Sequence, residues 1–145
     1  MIYFDATFLA RLYLDEEGSE QVRAVALNSD VITSSILAKM ETEAVFHRHL
    51  RESKINTRVL EGCNVQFAGD QDDEILRWLP LSQSVIERVH NAFLHLPATA
   101  YLRAGDAIHL ATASEAGFKE IYSNDRHLLA AASLFKLKGI NPLAK

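Results

Sequence analysis

A single cysteine, Cys63, in 145 residues rules out a disulfide within the chain and leaves no CxxC pair for a zinc knuckle. That fits a reducing compartment, with Cys63 as a small, partly buried apolar residue. No segment approaches the roughly 18 continuous apolar residues of a membrane span, and the N-terminus has no basic stretch leading into an apolar run. The expectation is a soluble, cytoplasmic protein without a membrane partner. Basic residues are not in excess: 15 Lys and Arg face 19 Asp and Glu, for a net charge of −4. A protein that merely coats nucleic acid is usually basic, so bulk electrostatic binding is disfavoured. A site that holds cations on acidic residues is compatible with this balance, because bound metals reverse the local field. There is no HExxH motif, which argues against a zinc protease.

Repeats, linkers and low-complexity tracts are absent as well. Apolar residues make up 48% of the chain and charged residues 23%. A chain of this length buries roughly 70% of its unfolded surface, so its core needs no disulfide or structural metal. One domain over residues 1–145 is expected.

Short apolar runs alternate with helical patterns, the rhythm of an α/β fold built on a parallel sheet. Ile2-Tyr3-Phe4 reads as a buried strand stopped at Asp5. A helix from about Thr7 to Leu14 follows, then one capped by Ser19 and running to about Leu27. Val31-Ile32-Thr33 is a second strand, and Ser34-Ser35 caps a long helix to about Leu50. Residues 56–66 read as helical, 69–74 as an acidic loop, and Ile75 to Leu79 as ambiguous. Ser82 starts an amphipathic helix with Ile86, Val89, Phe93 and Leu96 on its apolar face. After the turn at Pro97 and Thr99, a small-residue helix beginning near Gly105 runs to Gly117. Glu120 to Ser123 is a strand, Arg126 to Leu134 a helix, and Leu137 to Ile140 an edge strand.

Four acids stand out from the solvated ones. Asp5 and Asp125 each follow an apolar strand, and ligands of open parallel sheets bind beyond the strands' carboxyl ends. A turn or N-cap role is the plainer account of each alone. Glu41 falls, at about 100° per residue, within an arc formed by Leu37, Met40 and Ala44. A carboxylate there needs pairing, a proton or a metal; the plainer account is a boundary residue or a partner of Arg48. Asp106 opens the small-residue helix, where the macrodipole by itself favours an acid.

Together these positions resemble the PIN-domain family, most closely its VapC-type toxin ribonucleases. The matching residues are Ile2-Tyr3-Phe4-Asp5-Ala6-Thr7; Thr33-Ser34-Ser35 followed by Met40-Glu41; Leu102-Arg103-Ala104-Gly105-Asp106-Ala107-Ile108-His109-Leu110-Ala111-Thr112-Ala113; and Tyr122-Ser123-Asn124-Asp125-Arg126-His127-Leu128. The third block is the most specific. One departure is Ala6, where the family usually has Thr or Ser after the first Asp; Thr7 retains a hydroxyl. The resemblance implies a three-layer α/β/α fold with a central, mostly parallel sheet flanked by helices. It also implies a metal-dependent endoribonuclease, the toxin of a type II toxin–antitoxin module, with a small antitoxin partner and a homodimeric state.

Acids about 4 Å apart repel by about 4 kcal/mol at an effective dielectric of 20, so such a pocket takes up protons or cations. An all-oxygen set suits Mg²⁺ or Mn²⁺. Asp5, Asp106 and Asp125 are expected to hold the metal, with Glu41 completing the site and positioning the attacking water. The products would be a 5′-phosphate and a 3′-hydroxyl. Thr7, Ser34 and Asn124 are candidates for orienting carboxylates or backbone. Arg48 and Arg126 are candidates for substrate phosphates, and His109 reads as a structural residue of a buried helix. Phe46, with Phe8, Leu12 and Tyr13, supplies apolar surface for assembly or else core contacts. A haloacid-dehalogenase-like phosphatase would need a second Asp where Thr7 stands. A receiver domain would need adjacent early acids and a late Lys. The remaining rival is a catalytically silent PIN-like interaction module.

Overall fold

In the computed structural model, which describes residues 1–144, the first strand β1 (Ile2–Tyr3) places its two large side chains on opposite sides. Successive residues of extended chain point to opposite faces of a sheet. Tyr3 joins the core on one side, and Phe4, which follows directly, joins the core on the other; both are fully buried. The strand is therefore apolar without alternation, as a strand covered on both faces requires.

Four further strands complete the layer: β2 (Ile32–Ser35), β3 (Leu76–Leu79), β4 (Glu120–Tyr122) and β5 (Lys138–Ile140). β1, β2 and β3 pair in parallel, as do β4 and β5. A parallel bridge between Phe4 and Tyr122 joins the two groups, giving the order 3-2-1-4-5. Helices α1 (Ala6–Tyr13), α2 (Ser19–Ala26), α3 (Ile36–Arg51) and α4 (Thr57–Asp72) supply residues to the core that contains Phe4. Helices α5 (Gln83–His95), α6 (Ala104–Glu115) and α7 (Arg126–Ala131), with a 3₁₀ turn at Ala132–Phe135, build the core that contains Tyr3. The result is the expected three-layer α/β/α fold with a parallel central sheet. β1 and β4 are the adjacent strands at which the strand order reverses, the point where open α/β sheets form a crevice.

Local chemistry explains most boundaries. Asn56, Ser82 and Asp125 cap their helices through side-chain oxygens that accept backbone N–H bonds. Gly117, at φ 84°, ends α6 in the left-handed region that suits glycine. At α2 the cap differs from expectation: Gly18 holds that position at φ 87°, and Ser19 instead donates to the Leu14 carbonyl at 2.7 Å.

Three further expectations are corrected. The stretch 69–74 is no acidic loop up to Asp72, because α4 continues through it, and the ambiguous run after it is the strand β3. In α5 the buried side is Val85 with the partly buried Val89, Ala92 and Leu96, whereas Ile86 and Phe93 are exposed. In α3 the buried stripe is Ala38, Thr42, Phe46 and His49, while Met40 and Ala44 are exposed. The assembly surface read from Phe46, Phe8 and Tyr13 is therefore core. Phe46 packs edge-on against Tyr13 and Phe67 at ring separations of 5.9 and 5.7 Å, and Leu12 packs against the same cluster. An aromatic on a helix covered from two sides has no free face.

Candidate active site

Beyond the carboxyl ends of β1 and β4 lies a cavity of about 530 Å³. Asp5, Glu41, Asp106 and Asp125, scattered over the chain, all line it, together with Thr7, His109, Arg48, Arg51 and Arg103. Its walls thus carry four carboxylates and three guanidinium groups.

Asp5 is the floor. It follows β1 directly, and its side chain caps α1 by accepting the Phe8 N–H at 3.0 Å. Thr7 donates its hydroxyl to the same oxygen at 2.8 Å, and Ser123 donates to the other. Only 4% of Asp5 is exposed, and burial pushes its carboxyl above the usual range despite these donors. No Arg or Lys pairs with it among the described residues. A buried anion without a basic partner is costly unless a proton or an external cation balances it.

Asp125 caps α7, accepting the His127 and Leu128 N–H groups on one oxygen at 2.8 and 3.0 Å. Its other oxygen faces Arg103 at 2.5 Å, and the same guanidinium reaches Asp106 at 3.0 Å. Asp106 stands in the first turn of α6. Glu41 lies beside the buried stripe of α3, on a strip that continues to Arg48 and Arg51 and faces the cavity. The helical-wheel reason for singling it out does not hold, since two of its three reference residues are exposed.

A chain of hydrogen bonds sets the orientation of Glu41. The Ser35 N–H donates to the Tyr3 hydroxyl at 3.0 Å. That hydroxyl stands 3.0 Å from His109 Nδ1, and His109 Nε2 lies 2.7 Å from Glu41 Oε1. The Glu41 carboxylate can only accept, which calls for a hydrogen on Nε2 and leaves Nδ1 of the neutral ring to accept from the Tyr3 hydroxyl. The imidazole hydrogen then resides on Nε2, directed at Glu41.

A model of the PIN domain matches residues 2–134. The chain belongs to the PIN-domain family. Among solved structures it is similar to VapC20 of Mycobacterium tuberculosis, described as a sarcin-ricin loop cleaving toxin. The two share 17% identity over 90% of this chain and 95% of that one, with a TM-score of 0.71. FitAcB of Neisseria gonorrhoeae aligns over the whole of both chains at 18% identity and a TM-score of 0.68. A toxin–antitoxin complex from Klebsiella pneumoniae covers 98% of each chain at 16% identity and a TM-score of 0.62. No curated protein matches the sequence.

In this PIN domain the other expected residues are placed as follows. Thr7 reaches Asp5, which answers the departure at Ala6 with a hydroxyl one residue later, and it also lies 3.3 Å from Asn124 Oδ1. Ser34 touches none of the acids; it donates to the Phe4 carbonyl at 2.7 Å and so ties β2 to the residue before Asp5. Arg48 faces the cavity, and Arg126 does not line it. Sequence reasoning missed Ser123, Arg51 and Arg103, and the contact of His109 with Glu41. Ser123 had a visible signal, a small polar residue ending an apolar strand. Arg103 had one too, standing three residues before Asp106.

The donor chemistry fits a hard divalent cation: carboxylate oxygens dominate, no thiol lies in the cavity, and a guanidinium already stands as a cation between Asp106 and Asp125. The acids surround one hollow without yet forming a coordination cluster. No three Asp, Glu, His or Cys side chains among the described residues are close enough to hold an ion together. Each is instead tied to a local donor, the arrangement that mutual repulsion favours.

Proposed function

We propose that this PIN domain is a metal-dependent endoribonuclease and the toxin of a type II toxin–antitoxin module. The observation that carries the reading is the gathering of Asp5, Glu41, Asp106 and Asp125 around one cavity at the crevice of the sheet, rimmed by arginines. Asp5, Asp106 and Asp125 would hold Mg²⁺ or Mn²⁺, with Glu41 completing the set. A divalent ion bound there would supply an activated water and positive charge facing the phosphodiester.

The chain's own residues do the rest. Ser123, Thr7 and the Phe8 N–H hold the Asp5 carboxylate in one orientation. His109, itself held by Tyr3, aims Glu41 into the hollow, where that carboxylate orients the attacking water and takes up its proton. Arg48 and Arg51, on the rim, bind phosphates of the RNA strand.

The similarity to toxins solved with antitoxins supports a small antitoxin partner for this chain. A homodimer fits the same family. The exposed Ile86, Phe93 and Leu94 of α5, rather than Phe46, supply apolar area for such an assembly. The silent-module reading draws on one observation, the absence of a ready three-ligand cluster among the described residues.

The test is RNA cleavage by antitoxin-free protein with Mg²⁺ or Mn²⁺, comparing wild type with Asp5→Asn and Asp106→Asn. Cleavage leaving 5′-phosphate ends, abolished in both variants and by EDTA, is expected. Ends carrying 2′,3′-cyclic phosphate would refute the mechanism. Inertness of the wild type at every metal concentration would favour the interaction module.

A further inference from the structure

The guanidinium of Arg103 occupies a distinctive place. It is carried on the residue that precedes α6, outside the helix whose first turn bears Asp106. Its Nε donates to Asp106 Oδ2 at 3.0 Å, and its NH2 group donates to Asp125 Oδ2 at 2.5 Å. One cation thus bridges an acid in the first turn of α6 and the acid that caps α7, 19 residues later in sequence. The remaining oxygen of Asp125 is already committed to two backbone N–H groups. Only Oδ2 is left to face the hollow, and Arg103 holds it.

A divalent ion bound by this pair needs Asp125 Oδ2, the oxygen that Arg103 holds, whereas Asp106 meets Arg103 through Oδ2 alone. At Asp125 the guanidinium and the ion exclude each other, because two cations cannot share one carboxylate oxygen without strong repulsion. The Arg103 side chain is 55% exposed, against 14% and 21% for its two acid partners. It therefore has open solvent to swing into, while the acids are held in place by the fold.

Resting on the metal-site reading above, we propose that Arg103 is an internal counter-cation of the Asp106–Asp125 pair, which a divalent ion must displace in order to bind. In the metal-free protein it neutralises two acids that would otherwise repel each other. In the loaded protein it is released at the mouth of the cavity beside Arg48 and Arg51, where its donor fork matches a phosphate. The arginine thus sets the metal concentration at which the site fills.

The experiment measures Mn²⁺ binding to the full chain without RNA, by the loss of the free-ion signal in electron paramagnetic resonance. Wild type is compared with Arg103→Ala, Arg103→Lys and Asp106→Asn. Removing two partly exposed ion pairs tightens Mn²⁺ binding by roughly fivefold in Arg103→Ala. Arg103→Lys, a point charge without the fork, falls between Ala and wild type, and Asp106→Asn binds more weakly than wild type. Melting curves in EDTA supply a second readout: Arg103→Ala melts lower than wild type, and saturating Mn²⁺ raises its melting temperature by more. General structural damage would weaken metal binding, so tightening separates the two explanations. If wild type binds Mn²⁺ and Arg103→Ala binds no tighter, the counter-cation role is wrong and the metal site stands. If neither wild type nor Arg103→Ala binds Mn²⁺, the metal reading fails and this inference falls with it.

Discussion

Replacing Asp5 by Asn should make the protein more stable and inert at once. Asp5 is almost fully buried, and burial raises its carboxyl above the usual range. The folded chain therefore binds that proton more tightly than the unfolded chain, where the group titrates at about 3.9. The stability from this proton is complete below about pH 4 and is lost as pH rises through the folded value. As pH rises without metal, the wild type increasingly carries the cost of a buried charge that no Arg or Lys balances. Asn removes the charge and keeps the geometry. Its amide oxygen accepts from the Phe8 N–H and Thr7 as before, its amide N–H meets Ser123, and Asn caps helices about as well as Asp. Each pKa unit of the shift corresponds to about 1.4 kcal/mol. At about 2–4 °C per kcal/mol for a chain of this size, the melting temperature in EDTA rises by roughly 3–6 °C per unit. The assay is differential scanning calorimetry of both proteins in EDTA at pH 8 and near pH 4. The gain should be present at the higher pH and shrink toward zero at the lower. With Mn²⁺ the order narrows or reverses, because the ion stabilises only the protein that binds it. RNA cleavage should fall by more than about a hundredfold, beyond the range usual for losing a group that merely supports a ligand. A lower melting temperature for Asp5→Asn at pH 8, or a gain independent of pH, would refute the reasoning.

The remaining predictions concern support and packing. Tyr3→Phe strips the Ser35 N–H and His109 Nδ1 of their partner inside the core, at a cost of about 1–3 kcal/mol by urea denaturation. The same change removes the Nδ1 anchor that orients the His109 ring toward Glu41, so cleavage drops roughly 10–100-fold while Mn²⁺ still binds; unchanged cleavage would show that Glu41 needs no such aim. Phe46→Ala opens a hole between Tyr13 and Phe67 and costs about 3–5 kcal/mol, roughly a 10 °C fall in melting temperature. Light scattering should show the same mass for the folded variant as for wild type. A change of mass with no loss of stability would return Phe46 to the surface.

The acids at strand ends were legible because that signal is local. An apolar run followed directly or within a short polar turn by an Asp marks both the end of a strand and a carboxylate at the sheet's crevice, as at Asp5 and Asp125. The order of the elements was legible for the same reason, from helix starts such as Ser35 and Ser82 and from the stop at Gly117. The orientation of α3 and α5 was not. Both carry apolar residues on more than one side, so the wheel marks several candidate faces, and only the neighbouring layers select one. In α3 they selected Phe46 and turned Met40 to solvent; in α5 they buried Val85 and left Phe93 out. Glu41 was picked for a reason that packing overturned, yet it faces the cavity, because the strip beside a buried stripe is where a helix meets a crevice.

The amino-acid sequence by itself determined most of the segments that become strands and helices, and which acids stand at their ends. Those choices depend on neighbours within a few residues. Tertiary structure alone decided that Ser123 would serve Asp5, that His109 would join Tyr3 to Glu41, and that Arg103 would bridge Asp106 to Asp125. These pairs form only when distant segments are packed together, and no local pattern encodes the distance between two side chains brought together by a sheet and the helices on either side of it.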